Sequence, residues 1–247
     1  MIDWERVQLG SLAQWLSAIG TISAVIIALF KDRITAWRNR PKLSVRSLRS
    51  PPDLDEIPYY YPMPGAPVYM PPVYKSADSY FLRLWIQNDG KTRAEKVQVF
   101  VENVFRETFP DTFEKMVSFI PMNLRWGFGS EKPTHAEVFA DGISPGMGAH
   151  CILAHVIDPR KRHEIREYLL YTKKYPNTEH TVLYLETEMQ PTNLCAILSP
   201  GTYRLKLLIA GSNCKPQPHT IEIRLDGRWF DDREKMLQDG VMMKKID

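Results

Sequence analysis

The sequence has few of the residues that usually mark a secreted, metal-binding or catalytic protein. It contains three cysteines, and an odd number does not fit a disulfide framework. Cys151 and Cys195 lie in apolar runs, so we expect reduced thiols in a core. The six histidines form no H-E-x-x-H motif. His150 and His155 are five apart in one predicted strand and are expected on opposite faces, which makes a poor metal site.

Motifs for phosphate loops and hydrolases are also missing. Residues 144–148 (SPGMG) are rich in glycine, but no Lys-Ser/Thr pair follows them, as a phosphate loop requires. The sequence has no G-x-S-x-G elbow. A formal net charge of +3 does not by itself indicate a nucleic-acid binder, which normally carries a basic stripe. We therefore expect no cofactor, no metal and no nucleic-acid partner.

Charged residues are absent from residues 7–30 (VQLGSLAQWLSAIGTISAVIIALF). As a helix this stretch spans about 36 Å, and a bilayer's hydrocarbon core is about 30 Å thick. The sequence therefore predicts a transmembrane helix. A cleaved signal peptide would need a basic head and a small-residue cleavage site, and an in-plane helix would need a strongly polar face. A buried core helix is the remaining alternative.

Basic residues follow this run, whereas Arg6 alone precedes it, close to two acidic residues. The positive-inside rule then places residues 1–6 outside the cytoplasm and residues 42–247 inside it. Residues 31–41 are predicted to continue as a basic juxtamembrane helix until Pro41. We expect single-pass insertion in the inner (cytoplasmic) membrane, with the bilayer as a partner. The predicted membrane-interface residues are Lys31, Arg33, Trp37, Arg38 and Arg40.

Small residues recur every fourth position in the apolar run, at Gly20, Ala24 and Ala28. This spacing lets two helices approach closely in lipid. The sequence predicts a weak homo-oligomer through this face, although small residues are common in any spanning helix.

The remainder of the chain alternates apolar and polar residues in short runs separated by turn residues, which predicts a mainly β domain. Residues 51–74 are rich in Pro and Tyr and are predicted to be a loop or insertion, because proline cannot donate to a strand ladder. Helices are expected at 162–171 and 232–238. The predicted strands are 42–48, 80–87, 97–104, 150–157, 181–187, 203–210 and 220–225, with weaker candidates at 116–120 and 136–139.

The segment FLRLWIQNDGKTRAEKVQVFVENV resembles the strand–turn–strand of Ig-like and adhesion-type sandwich domains. The closing segment PGTYRLKLLIAGSNCKPQPHTIEIRLDGRWFDD resembles their last hairpin. Together with the N-terminal helix, the chain is similar to uncharacterised prokaryotic single-pass membrane proteins. The resemblance implies an antiparallel Ig-like β-sandwich with a short helical insert. It implies little about function, because many unrelated domains share the pattern.

A basic cluster lies in the predicted helical insert, at Arg160, Lys161, Arg162 and His163, with Lys173 and Lys174 nearby. These side chains could bind an anion, a nucleotide or lipid headgroups. A solvated face is the alternative, since charge runs are usually solvated.

Three functions remain open from the sequence. The first is a membrane-tethered, non-enzymatic binding module for an unknown protein or small ligand, because loops on a rigid sheet scaffold suit recognition. The second is a ligand-sensing membrane effector of the antiphage-defence type, whose helices assemble. The third is a hydrolase without a recognisable motif.

The small-residue face generates a direct test. Gly20→Leu should fill the groove and abolish helix association in a genetic reporter, because apolar helices in lipid associate only where their backbones pack closely. Ile26→Leu, on another face, is the control and should leave the signal unchanged. An intact signal in Gly20→Leu would show that the face is incidental.

Overall fold

The structure is a computed structural model that describes residues 9–48, 50–62, 74–126, 138–175 and 179–246. The chain divides after Arg40 into a helical unit and a strand-rich unit. Residues 1–8, which include the predicted N-terminal segment, lie outside the described residues.

The helical unit consists of α1 (Leu9–Arg38), which forms because its long uncharged run has no proline or helix-breaking turn. The helix ends three residues before Pro41, which disfavours a helical conformation at the residue before it. The window Gln14–Lys31 is apolar and long enough to cross a membrane, and none of it is buried.

The strand-rich unit contains short and long strands joined by tight turns. Within the described residues these are β1 (Leu43–Arg46), β2 (Leu54–Glu56), β3 (Tyr59–Pro62), β4 (Tyr74–Ala77), β5 (Ser79–Asn88), β6 (Ala94–Phe109), β7 (Thr112–Lys115), β8 (Met122–Asn123), β9 (Arg125–Trp126), β10 (Ala140–Ile143), β11 (Gly148–Ile157), β12 (Leu183–Leu185), β13 (Ile197–Leu198), β14 (Gly201–Gly211), β15 (Cys214–Leu225) and β16 (Val241–Lys245).

These strands form two antiparallel seven-stranded sheets and a separate β3–β4 hairpin. Sheet 1 has the order β1-β5-β11-β12-β13, with β2 also paired to β5 and β9 to β11. Sheet 2 has the order β10-β6-β14-β15-β16, with β7 and β8 paired to β6. Neither sheet closes on itself within the described residues. The fold is mainly β and antiparallel, as the alternating pattern predicts.

Both sheets contribute to one hydrophobic core. Sheet 1 supplies Leu82, Leu84 and Ile86, the alternate residues of β5, and all three are fully buried. Sheet 2 supplies the corresponding alternate residues of its long strands, among them Val99 and Leu207. Burying a side chain of this size contributes about 1.5–3 kcal/mol each, so this core is the main source of stability.

The outer face of sheet 1 is covered as well, which explains why β5 and β11 are buried along most of their length. A second cluster of buried side chains joins β11–β13 to the β3–β4 hairpin and to the helical insert. The insert is less regular than the predicted helix: two 3₁₀ turns, Arg162–Glu164 and Arg166–Tyr168, precede α2 (Leu169–Lys174). The Pro/Tyr-rich stretch is a loop only in part, because β2 pairs with β5 and β3 with β4; residues 63–73 lie outside the described residues.

Other local predictions differ from the structure. Residues 116–120 form a turn instead of a strand, and Asn193 donates a hydrogen bond to the Ser118 carbonyl there. The candidate at 136–139 lies partly outside the described residues, and the neighbouring strand is β10. The terminal helix α3 (Arg233–Lys235) continues into a π-helical turn, Met236–Gly240. The edge strand β16 then follows, which the sequence pattern did not predict.

A β-bulge in β11 reverses the prediction that His150 and His155 face opposite sides. The register with β5 shifts between Ile152 and Ala154. An extra residue inverts the alternation of side chains beyond it. His150 therefore pairs with Trp85 and His155 with Phe81, and both histidine rings contact those aromatic rings on the outer face of sheet 1.

The contact between β11 and β5 gives a stability prediction. A Cβ on Gly148 would lie closer than 3.0 Å to the Trp85 indole. Gly148→Ala should therefore lower the free energy of unfolding by about 1–3 kcal/mol, as overpacking does. In a Trp85→Ala background the same change should cost almost nothing, which a double-mutant cycle from urea unfolding of the full chain would show. Equal losses in both backgrounds would contradict this packing.

Candidate functional site

A pocket of about 350 Å³ lies where the helical insert meets the edge of both sheets. Part of the lining comes from α2 and the residue after it, and part comes from residues 193–200 and the start of β14. The end of β6 supplies a further side chain, Arg106. The volume is near the lower end of the range for small-molecule sites, about 300–1,000 Å³.

Basic groups line the pocket, and no acidic residue does so among the described residues. Arg106, Lys174 and His180 come from three different segments. Arg106 donates a hydrogen bond to the Pro200 carbonyl, at 3.3 Å. In the described part of the chain neither Arg106 nor Lys174 has a carboxylate within ion-pair distance. A concave site lined by one sign of charge attracts ions of the other sign.

Aromatic rings line the same space. The rings of Tyr171 and Tyr175 are 4.9 Å apart, and the Lys174 ammonium lies 5.4 Å from the Tyr175 ring centre. Tyr203 is buried and donates its hydroxyl to the Ser199 carbonyl, at 2.8 Å. Burial raises the pKa of Tyr171, partly offset by Arg162, so its phenol stays neutral near pH 7 and can act as a donor.

The floor of the pocket is apolar and built by the turn before β13 and by β13 itself. Leu194, Ile197 and Leu198 line it and are buried. Leu194 has a positive φ of 60°, a backbone conformation that costs energy for a residue with a side chain. The pocket therefore combines an apolar floor with a few polar groups, the usual composition of a ligand site.

Behind the insert lies a buried network centred on His155. His155 Nδ1 lies 2.6 Å from Glu186 Oε1, and its Nε2 lies 2.9 Å from the Tyr168 hydroxyl. The rings of Tyr59, Phe81 and Tyr184 surround the imidazole, with centroids 5.0–5.3 Å away. An ionised carboxylate can only accept, so Nδ1 carries a proton and donates it to Glu186.

The electrostatics of this network fit a Glu186 carboxylate that accepts from His155. Burial acts to raise the pKa of Glu186, but His155 and, at 4.0 Å, Arg125 outweigh it and hold the pKa below its usual value. Burial raises the pKa of Tyr168 well above its usual value, and Glu186 adds to this effect. Glu186 is therefore ionised and Tyr168 protonated at neutral pH.

This Glu–His–Tyr arrangement has the connectivity of a proton relay, yet its position does not allow catalysis in this conformation. His155 is 1% exposed and Tyr168 is fully buried, so no substrate atom reaches them. Both ring nitrogens of His155 already have partners. The network instead fixes Tyr168, the residue directly before α2, to sheet 1.

The predicted anion-binding residues do not converge on one open face. Arg160 forms ion pairs with Asp158 and Asp231. Arg162 is buried, donates to the His180 carbonyl at 2.8 Å and lies over the Tyr171 ring. Arg162 therefore supports the pocket wall from behind. His163 is exposed, and the Lys161 ammonium lies 3.9 Å from a Glu164 carboxylate oxygen.

The predicted residues of α1 are partly described. Gly20, Ala24 and Ala28 are exposed. Apart from neighbouring backbone of α1 itself, no atom of the described residues lies within 4 Å of a Cβ placed on Gly20. Lys31 and Arg40 are exposed. The side chains of Arg33, Trp37 and Arg38 lie outside the described residues.

The cysteines are free, and Cys151 and Cys195 are buried as expected. Burial raises the pKa of the Cys151 thiol strongly, which removes its nucleophilic form. Among the described residues no three His, Cys, Asp or Glu side chains converge on a point where a metal ion would fit.

Sequence reasoning identified Lys174 within a basic insert but missed the residues that complete the site. Arg106, His180 and Tyr203 are far apart in sequence and belong to no motif. Glu186 follows β12 directly. This charged residue at the end of an apolar strand is the feature of the sequence that could have indicated the His155 network.

Comparison with known proteins adds no assignment to this geometry. No family model matches the chain, and neither the curated proteins nor the solved structures include a significant match.

The lowered pKa of Glu186 gives a pH prediction. Its folded pKa lies below the unfolded value of about 4.3, so its contribution to stability is present above that pH and is lost as the pH falls through the folded pKa. Glu186→Gln should lower the free energy of unfolding at pH 7 by about 1.5–3 kcal/mol and flatten its decline below about pH 5. The measurement is urea unfolding of the full chain at a series of pH values.

The matched control is Glu102→Gln, which changes an exposed carboxylate on β6. It should change stability by less than about 0.5 kcal/mol at every pH. If the free energy of unfolding falls below about pH 5 as steeply in Glu186→Gln as in the wild type, the pKa of the Glu186 carboxyl is not lowered by folding.

Proposed function

We propose that this protein is a membrane-tethered, non-enzymatic binding module. In this proposal α1 is a single-pass anchor in the inner (cytoplasmic) membrane, and the strand-rich unit is an Ig-like sandwich in the cytoplasm. The unit binds a small ligand in the pocket beside α2. The bilayer contacts the predicted interface residues from Lys31 to Arg40.

The pocket is the observation that carries this proposal. It has an apolar floor, partly exposed aromatic rings, and basic side chains that have no carboxylate within ion-pair distance among the described residues. Rigid sheets hold these groups in place. In contrast, the buried His155 network is closed to substrates. Binding is therefore better supported than hydrolysis. The window Gln14–Lys31 of α1 is apolar and long enough to cross a membrane, and none of it is buried among the described residues, which supports the tether.

A ligand-sensing membrane effector of the antiphage-defence type is the second candidate. It adds one step to the first, namely assembly of the anchors after ligand binding. The observation that favours it is the open surface at Gly20, where a second helix would fit without a clash. Loss of association in Gly20→Leu would strengthen this candidate.

The proposal is tested on the full chain in sealed inverted vesicles, which present their cytoplasmic face to the medium. Added protease should digest the strand-rich unit, and a compound that binds the folded unit should slow this digestion. Compounds selected in this way should protect the wild type but not Lys174→Trp, which fills the pocket from an exposed position.

Lys173→Trp is the matched control, because Lys173 is exposed on the same helix and does not line the pocket. It should be protected like the wild type. Complete protection without any compound would reverse the orientation. Protection that persists in Lys174→Trp would place the binding site elsewhere, and chemical turnover of a protecting compound would favour the hydrolase.

A further inference from the structure

We infer that the pocket beside α2 takes a nucleoside monophosphate, a flat ring system joined to a doubly charged phosphate. This inference rests on the proposed function, since it names the class of ligand that the same pocket binds. Three observations lead to it: the charge of the lining, the position of the aromatic rings, and the volume.

The charge of the lining fits a dianion. Arg106 and Lys174 supply two permanent positive charges with no carboxylate paired to them among the described residues. A phosphate monoester carries about −1.5 to −2 charges at neutral pH. Arginine and lysine together are the usual side chains for phosphate, because one offers a fork of donors and the other a mobile point charge. A single carboxylate would leave one of the two cations without a partner.

The aromatic rings fit a planar group next to that anion. Tyr175 is 42% exposed, packs against Tyr171 and has the Lys174 ammonium 5.4 Å from its ring centre, so an exposed part of its side chain lines the pocket. Bases stack on aromatic side chains irrespective of their identity, because every base has a π face. Lys174 precedes Tyr175 directly, so a charged group and a stacking surface are adjacent in the chain.

The volume limits the size of the ligand. About 350 Å³ is close to the lower limit for small-molecule sites, which suits one ring system with one short anionic tail. The apolar floor of Leu194 and Ile197 excludes water beneath the ligand, which strengthens the charged contacts at the mouth.

Isothermal titration of the full chain in lipid nanodiscs tests the inference. The probes are the common ribonucleoside 5′-monophosphates, adenosine, and inorganic phosphate. At least one nucleotide should bind, and adenosine and phosphate should each bind at least about 10-fold more weakly, because each makes only part of the contacts. The affinity for the nucleotide should also fall with added salt.

Two variants separate the ring from the charge. Tyr175→Ala should weaken nucleotide binding about 10- to 100-fold by removing the stacking surface. Lys174→Ala should weaken it by about 10-fold or more, and Lys173→Ala should leave it within about twofold. All three positions are exposed, and unchanged thermal unfolding without nucleotide confirms that each variant is folded.

The inference is overturned if no nucleotide binds, if phosphate or adenosine alone binds as tightly as the nucleotide, or if neither pocket variant changes the affinity. These failures differ from failure of the proposed function. If the only protecting compounds are uncharged and their protection is lost in Lys174→Trp, the binding module stands and the nucleotide is rejected. If the protease experiment finds no compound whose protection depends on Lys174, the binding module itself is rejected.

Discussion

The geometry around the pocket depends on one irregularity, the bulge in β11. Without the extra residue between Ile152 and Ala154, His155 would point into the core between the sheets. With it, the imidazole lies on the outer face, where its two nitrogens form hydrogen bonds with Glu186 and Tyr168. The bulge also keeps Leu153 and Ala154 both in the central core. A single inserted residue thus orients the group that holds the insert to sheet 1.

Because sheet 1 is covered on both faces, backbone groups at the ends of its strands are cut off from water. Buried polar side chains supply the hydrogen bonds that these groups need. Asn88 is fully buried, and its amide nitrogen donates to the carbonyls of Thr92 and Ile143. Its amide oxygen accepts from the backbone of Lys42 and Gly90. One side chain therefore joins the residue before β1, the turn after β5 and the end of β10. A buried amide at this position with only some of its hydrogen bonds formed would lower the free energy of unfolding more than an apolar residue would.

The sequence predicted the features that depend on local pattern. Strict alternation in β5 identified Leu82, Leu84 and Ile86 as core residues, and the uncharged run identified α1. It did not predict β16, because a short edge strand after a helical turn has too few residues to show a period. The bulge was also missed, because it lies within the unbroken apolar run from Cys151 to Ala154, where a change in the phase of alternation is not visible. Arg106 and Tyr203 meet Lys174 only through the pairing of β6 with β14, a long-range contact that no spacing reveals.

The helix α2 is the least stable element of the site, yet it carries Tyr171 and Lys174, two of the side chains that line the pocket. A helix of six residues is too short to be stable alone, and α2 has no side-chain cap at its N-terminus. Its position is therefore determined by what it packs against, namely Tyr168 on His155 and Tyr171 on Arg162. These buried contacts order the wall before a ligand arrives, which lowers the entropy cost of binding. Affinity at the pocket should thus depend on the His155 network, although no atom of that network lines the pocket.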